Sequence, residues 1–191
     1  MIDVFRIGAV SHLYCIPTKS CYSIHMNLSL LFNEYNIDPK VTKLIRHPLN
    51  NPDARLAIEK GFLSTYQNHQ SRKIFEKCEN VLVFLGTDGT CADFIGLYKV
   101  EWMVEGKDIL KFLPEDYPFP EEFEQGGYYY NLVKQDTMAD LEKRLVIDWG
   151  RGTKAWHQWA TNEKQILEIR PEDPQRTIAD YRNYEESLPN L

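Results

Sequence analysis

Most familiar signatures of chemistry are missing from these 191 residues. The four cysteines, Cys15, Cys21, Cys78 and Cys91, form no CxxC pair and no Cys/His spacing of zinc type, so no structural metal is expected. A GxxxxGK[ST] loop is absent, which removes P-loop nucleotide hydrolysis. No Ser or Cys sits in a nucleophile elbow. The acidic stretch holding Glu115, Asp116, Glu121, Glu122 and Glu124 lacks EF-hand spacing and reads as a solvated loop. No run of about 18 apolar residues exists, so no membrane span is expected. The first residues lack the apolar core of a signal peptide, and a cytoplasmic location is the default expectation. No cofactor is expected.

Charge is present but uneven. The formal net charge of −6 argues against a protein that coats nucleic acid without discrimination. Residues 1–75 nevertheless hold nine Lys/Arg against five Asp/Glu, and residues 76–191 hold thirteen against twenty-three. The first part can therefore present a local basic face. With 43% hydrophobic and 26% charged residues the composition is that of a globular domain, able to bury a core without disulfides. Cys78 and Cys91 adjoin apolar runs and are expected to be buried thiols in a reducing interior.

The richest stretch is RLVIDWGRGTKAWHQW, residues 144–159. It opens as a β-prone run, Leu145, Val146 and Ile147, then breaks into Gly150-Arg151-Gly152. Three of the four tryptophans, Trp149, Trp156 and Trp159, fall within eleven residues of it. A loop with so many aromatic and polar groups is a binding surface by expectation.

Along the rest of the chain, residues 1–25 show no clear period and are read as an N-terminal extension. Residues 26–170 form the main domain, and 171–191 a tail or linker. Leu28, Leu31 and Phe32 have helical spacing. Residues 42–47 suit a strand, and 53–60 a short helix with Pro52 at its first position. Residues 62–70 are predicted to continue as a second helix. Residues 81–85 (VLVFL) and 94–104 (FIGLYKVEWMV) read as a hairpin across Asp88-Gly89, with Gly96 marking a bulge or a close contact. Residues 128–133, 145–149 and 165–169 are further strands. The expected class is α+β: a small, curved, mostly antiparallel sheet or open β-barrel (PUA-like), with short helices at one side.

Each candidate residue has a plainer alternative. Arg46 offers a fork for phosphate or a base edge, and His47 can donate from either nitrogen; both also suit a strand end making local bonds. Tyr66 can stack on a base, and Gln67 and Gln70 can bond an adenine edge; the alternative is a polar helix face with Tyr66 in the core. Gly150 and Gly152 allow close approach to an anion, with Arg151 and Lys154 supplying charge. Trp156 and Trp159 would share a face if helical, and packing is their alternative role. His157 and Gln158 add hydrogen-bonding groups. Asp148 and His157 could form an acid–base pair, although Asp148 suits bonds to backbone N–H groups of the glycine turn better.

LIRH at 44–47, YQNHQ at 66–70, IFEKC at 74–78, FIGLYKV at 94–100 and the long 144–159 motif occur in this order. Together they resemble the N-terminal domain that precedes a GIY-YIG nuclease domain in a group of bacterial proteins linked to restriction or defence. The resemblance covers residues 26–170. In that family the pattern continues into a nuclease with GIY and YVG strands, and residues 170–191 carry neither. The resemblance therefore implies a recognition domain associated with a nuclease, with DNA, including modified DNA, as partner and no cutting by this segment. Two other readings remain open: a hydrolase using Asp148 and His157, and a protein-interaction module docking to a separate nuclease through the acidic 101–142 region.

Overall fold

The computed structural model describes residues 4–5, 14–15, 26–49, 51–60, 67–87, 89–112, 126–150 and 156–172. Strands β1 (Val4–Phe5) and β2 (Tyr14–Cys15) pair with each other. The remaining strands form one nine-stranded sheet. They are β3 (Met26–Asn27), β4 (Thr42–Pro48), β5 (His69–Gln70), β6 (Asn80–Gly86), β7 (Cys91–Gly106), β8 (Gly127–Gln135), β9 (Leu145–Asp148), β10 (His157–Trp159) and β11 (Gln165–Ile169). Helix α1 (Leu28–Glu34) follows β3 directly, and α2 (Pro52–Glu59) follows β4. The result is a sheet-dominated α+β fold.

Central strand β6 explains the core. Val81 to Leu85 are all fully buried, as expected of a continuous apolar run covered on both faces. Side chains alternate along a strand. Leu82 and Phe84 enter one cluster with Leu44, Phe94, Ile147, Trp149 and, from α1, Leu28, Leu31 and Phe32. Val81, Val83 and Leu85 enter a second with Ile45, Phe75, Tyr98 and Tyr130. We call these the inner and the outer face. Helix α1 buries its i, i+3, i+4 stripe and ends at Asn36, whose φ of 55° suits an asparagine. Helix α2 starts on Pro52, where a missing N–H is harmless.

Strand order is β10-β4-β6-β7-β9-β11-β3, with β8 also on β7 and β5 on β8. Strands β8 and β9 both pair with the sixteen-residue β7: Cys91 to Asp93 meet β9, and Leu97 to Gly106 meet β8. The sheet therefore forks. Bulges interrupt β7 opposite Val83/Phe84 and at Val100/Trp102. The first adjoins Gly96, where a Cβ would press on Tyr98 and Lys134.

Curvature follows from connectivity. Strands β10 and β11 are five places apart, about 24 Å if the sheet were flat. Chain from Trp159 to Gln165 spans at most about 21 Å. The sheet must curl, and it does so without closing.

Pairing is antiparallel except for β4 and β6, which run parallel. Their connection, residues 49–79, carries α2 and β5, long enough for a crossover. The predicted second helix differs at its end: His69 and Gln70 are strand β5 on Tyr129 and Tyr128, and residues 62–66 lie outside the described residues. Sheet pairing there overrides a helical stripe. Among the described residues no helix is long and apolar enough to cross a membrane.

Candidate functional site

Edge strand β10 lies antiparallel to β4, with His157 opposite Ile45, Gln158 opposite Leu44 and Trp159 opposite Lys43. One further step sets Trp156 opposite Arg46, and the Arg46 N–H donates to the Trp156 carbonyl at 2.7 Å. Directly opposed residues share a face, and neighbours in sequence do not. This ladder therefore divides the expected binding residues into two sets.

The inner set is Arg46 and Gln158, on the face of Leu44; Trp156 precedes β10 and its ring turns to His157. The Arg46 guanidinium rests over Gly86, and its Nη2 donates to Gly89 O at 3.2 Å. Burial lowers its pKa, yet a guanidinium stays charged. Arg46 Nε and Gln158 Nε2 are buried donors with no acceptor among the described residues. Trp156 is 38% exposed, its ring edge-on to His157 at 4.9 Å. Such donors suit an anionic or acceptor-rich group.

The outer set is His47, Gln67, Gln70, His157 and Trp159. His47 is buried, and desolvation pushes its pKa down to about 4, so its imidazole is neutral. The Gln67 side chain lies between His47 and the Tyr98 hydroxyl and interacts with both. Gln70 Nε2 donates to Gln67 O at 2.7 Å. Burial, and then the charge of Lys43, lower the His157 pKa. Trp159 packs on the outer core and stacks under the Lys43 ammonium at 4.7 Å. Lys43 is itself buried, and its Nζ donates to Ile74 O.

The segment from His157 is strand and not helix, so the helical face expected to join Trp156 and Trp159 does not form. Trp149 is sealed in the inner core, with the buried Lys164 over its ring and bonded to its carbonyl at 2.7 Å. Tyr66, Arg151 and Lys154 lie outside the described residues. Asp148 Oδ1 accepts the Gly150 N–H at 2.9 Å, the turn role expected of it. Asp148 and His157 stand on β9 and β10, with β4, β6 and β7 between them in the sheet. Among the described residues no group of His, Cys, Asp and Glu could hold a metal ion.

Asn68 and His69, within the YQNHQ run already singled out, are buried beside Gln67 and Gln70. Two features had no counterpart in the sequence reading. Lys43 and Lys164 are buried cations, each under or over an indole. Trp102, Phe112 and Tyr129 form a cluster with ring centroids 5.0–5.5 Å apart, and Trp102 and Phe112 are 44% and 40% exposed. The run of three tyrosines at 128–130 was the available signal, since each phenol needs a polar partner when buried.

No family model, curated protein or solved structure matches this chain.

Proposed function

We propose that this chain is a non-catalytic nucleic-acid recognition domain, on a PUA-like open barrel, that works beside a nuclease in the cytoplasm. Its target is DNA, modified DNA included, and its setting is restriction or phage defence. One observation supports this reading above the others. Arg46 and Gln158 point unanswered donors to one face of the sheet, and the half-exposed Trp156, whose carbonyl accepts the Arg46 N–H, adjoins them at the sheet edge. Phosphate and base-edge acceptors meet such donors, and a base meets such a ring. The basic excess of the first 75 residues adds local attraction on an acidic chain. Arg151 and Lys154, four residues or fewer from Gly150 or Trp156 in sequence, would add charge.

Equilibrium binding to plain duplex, modified duplex and single-stranded oligonucleotides tests the proposal. Affinity should fall as salt rises. Arg46→Ala should weaken binding about ten- to a hundred-fold, and Arg151→Ala should reduce both affinity and salt slope. No detectable binding to any of them at low salt would overturn it.

The aromatic cluster of Trp102, Phe112 and Tyr129 favours a second reading, a module that docks to a separate nuclease subunit. Loss of partner co-purification in Trp102→Ala, without any nucleic-acid binding by the native chain, would favour that reading. The hydrolase reading has no comparable support: the Asp148 carboxylate serves its own turn, and His157 sits by Lys43.

A further inference from the structure

Asn68 and Tyr130 face each other across the β5–β8 ladder. The register His69 to Tyr129 and Gln70 to Tyr128 extends one step to them, and the Tyr130 N–H donates to Asn68 O at 2.8 Å. Opposed residues share a face, here the outer one, where Tyr130 packs with Phe75 and Tyr98. Asn68 is 4% exposed and Tyr130 1%. Yet Asn68 Oδ1 and the Tyr130 hydroxyl are buried without a hydrogen-bond partner among the described residues. The backbone N–H of Phe75 interacts with the phenol oxygen, and the phenol proton finds no acceptor among the described residues. Asparagine is short and tyrosine long, so the two groups, though opposed, do not meet each other.

Native proteins rarely leave two such atoms unanswered side by side. Gln70 bonds Gln67, Gln67 interacts with His47 and Tyr98, Lys43 bonds Ile74 O, and Lys73 pairs with Glu105 at 2.9 Å. Asn68 and Tyr130 are themselves neutral, and the charges that reach Tyr130, Glu76 and Lys73, are of opposite sign. The pair offers one acceptor and one hydroxyl that donates, beside the Phe75 and Tyr130 rings, which meet edge-on at 5.1 Å. An anion finds no free cation there, and a purely apolar ligand would leave both atoms unpaired. A flat, uncharged ring with an N–H next to a carbonyl or ring nitrogen satisfies both.

We infer that Asn68 and Tyr130 hold the edge of a neutral nucleobase, Asn68 Oδ1 accepting from the base and the Tyr130 hydroxyl donating to it. This rests on the nucleic-acid reading and divides its labour: charged donors on the inner face for phosphate or acceptor-rich edges, a neutral pair on the outer face for one base.

Calorimetric titration of the full chain with the free nucleosides adenosine, guanosine, cytidine and uridine and their deoxy forms tests the inference without phosphate. At least one should bind, with an affinity that salt does not change. Tyr130→Phe, which removes a single oxygen, should weaken it about ten-fold while the thermal midpoint holds or rises. Asn68→Ala should weaken it similarly. No binding by any nucleoside, or equal binding by Tyr130→Phe, overturns the site. Salt-dependent oligonucleotide binding that survives this result would leave the broader reading standing. Nucleoside binding without oligonucleotide binding would support the site and remove the broader reading.

Discussion

Arg46 lies against Gly86 so closely that a Cβ at position 86 would fall inside the guanidinium. Gly86 is ordinary strand at the end of β6, and its missing Cβ is what lets the flexible end of Arg46 lie there. The inner donor set therefore depends on a residue that never touches a ligand.

Gly86→Ala should displace the Arg46 side chain. The displaced atoms end a flexible side chain, so the loss of stability should stay below about 1 kcal/mol, readable by urea unfolding. Oligonucleotide affinity should fall nearly as far as in Arg46→Ala. Unchanged affinity in a folded Gly86→Ala protein would show that Arg46 does not carry binding.

His47 makes stability depend on pH. Its pKa falls from 6.5 to about 4 on folding, through burial. The unfolded chain therefore takes up the proton first, and stability is lost as pH drops from about 6.5 towards 4. The share due to His47 is on the order of 3 kcal/mol. His47→Gln should remove this dependence, so the native-minus-variant difference in stability should shrink as pH falls through that window. A difference that stays constant with pH would contradict the buried neutral imidazole.

Two thiols should react unequally. Burial pushes Cys78 up to about 11, and its Sγ also donates to Asn80 O at 3.0 Å. Cys91 is partly exposed. Brief alkylation near neutral pH, read by peptide mass spectrometry, should label Cys91 well before Cys78. Equal labelling would mean that the 74–80 cover of the outer core opens readily.

Strand β11 is fastened by charge. Arg170 Nη1 meets the buried Asp93 Oδ2 at 2.5 Å, and its Nε meets Glu168 at 2.6 Å. Arg170→Ala leaves a carboxylate inside the inner end of β7 and should cost about 3–5 kcal/mol. Asp93→Asn in the same chain should recover part of this. A loss below about 1 kcal/mol would place the pair in the class of surface bridges.

The sequence made some of this legible for physical reasons. Val81 to Leu85 had to be a buried strand, and Asp88-Gly89 marked its hairpin. Leu28, Leu31 and Phe32 could only be the stripe of a helix. Pairing partners were not legible. His157 to Trp159 carry no apolar alternation, and they are a strand because the open edge of β4 accepts them. That pairing sends Gln158 and Trp159 to opposite faces and removes the helical face that would have joined Trp156 and Trp159. The parallel β4–β6 pair depends on a crossover whose course no local pattern records. Arg46 and His47 were grouped as neighbours, whereas adjacency in a strand separates them: one side chain is charged and inner, the other neutral and outer. Asn68 and Tyr130 sit 62 positions apart, and only the β5–β8 register brings them together.

The most direct test follows side-chain signals of nitrogen-labelled protein during titration with an oligonucleotide. The indole N–H of Trp156, the side-chain amide of Gln158 and the Nε–H of Arg46 should shift together and saturate at one concentration, while the Trp149 indole in the core stays still. If those three signals remain fixed while binding occurs, the ligand sits elsewhere and the account of the inner face is wrong.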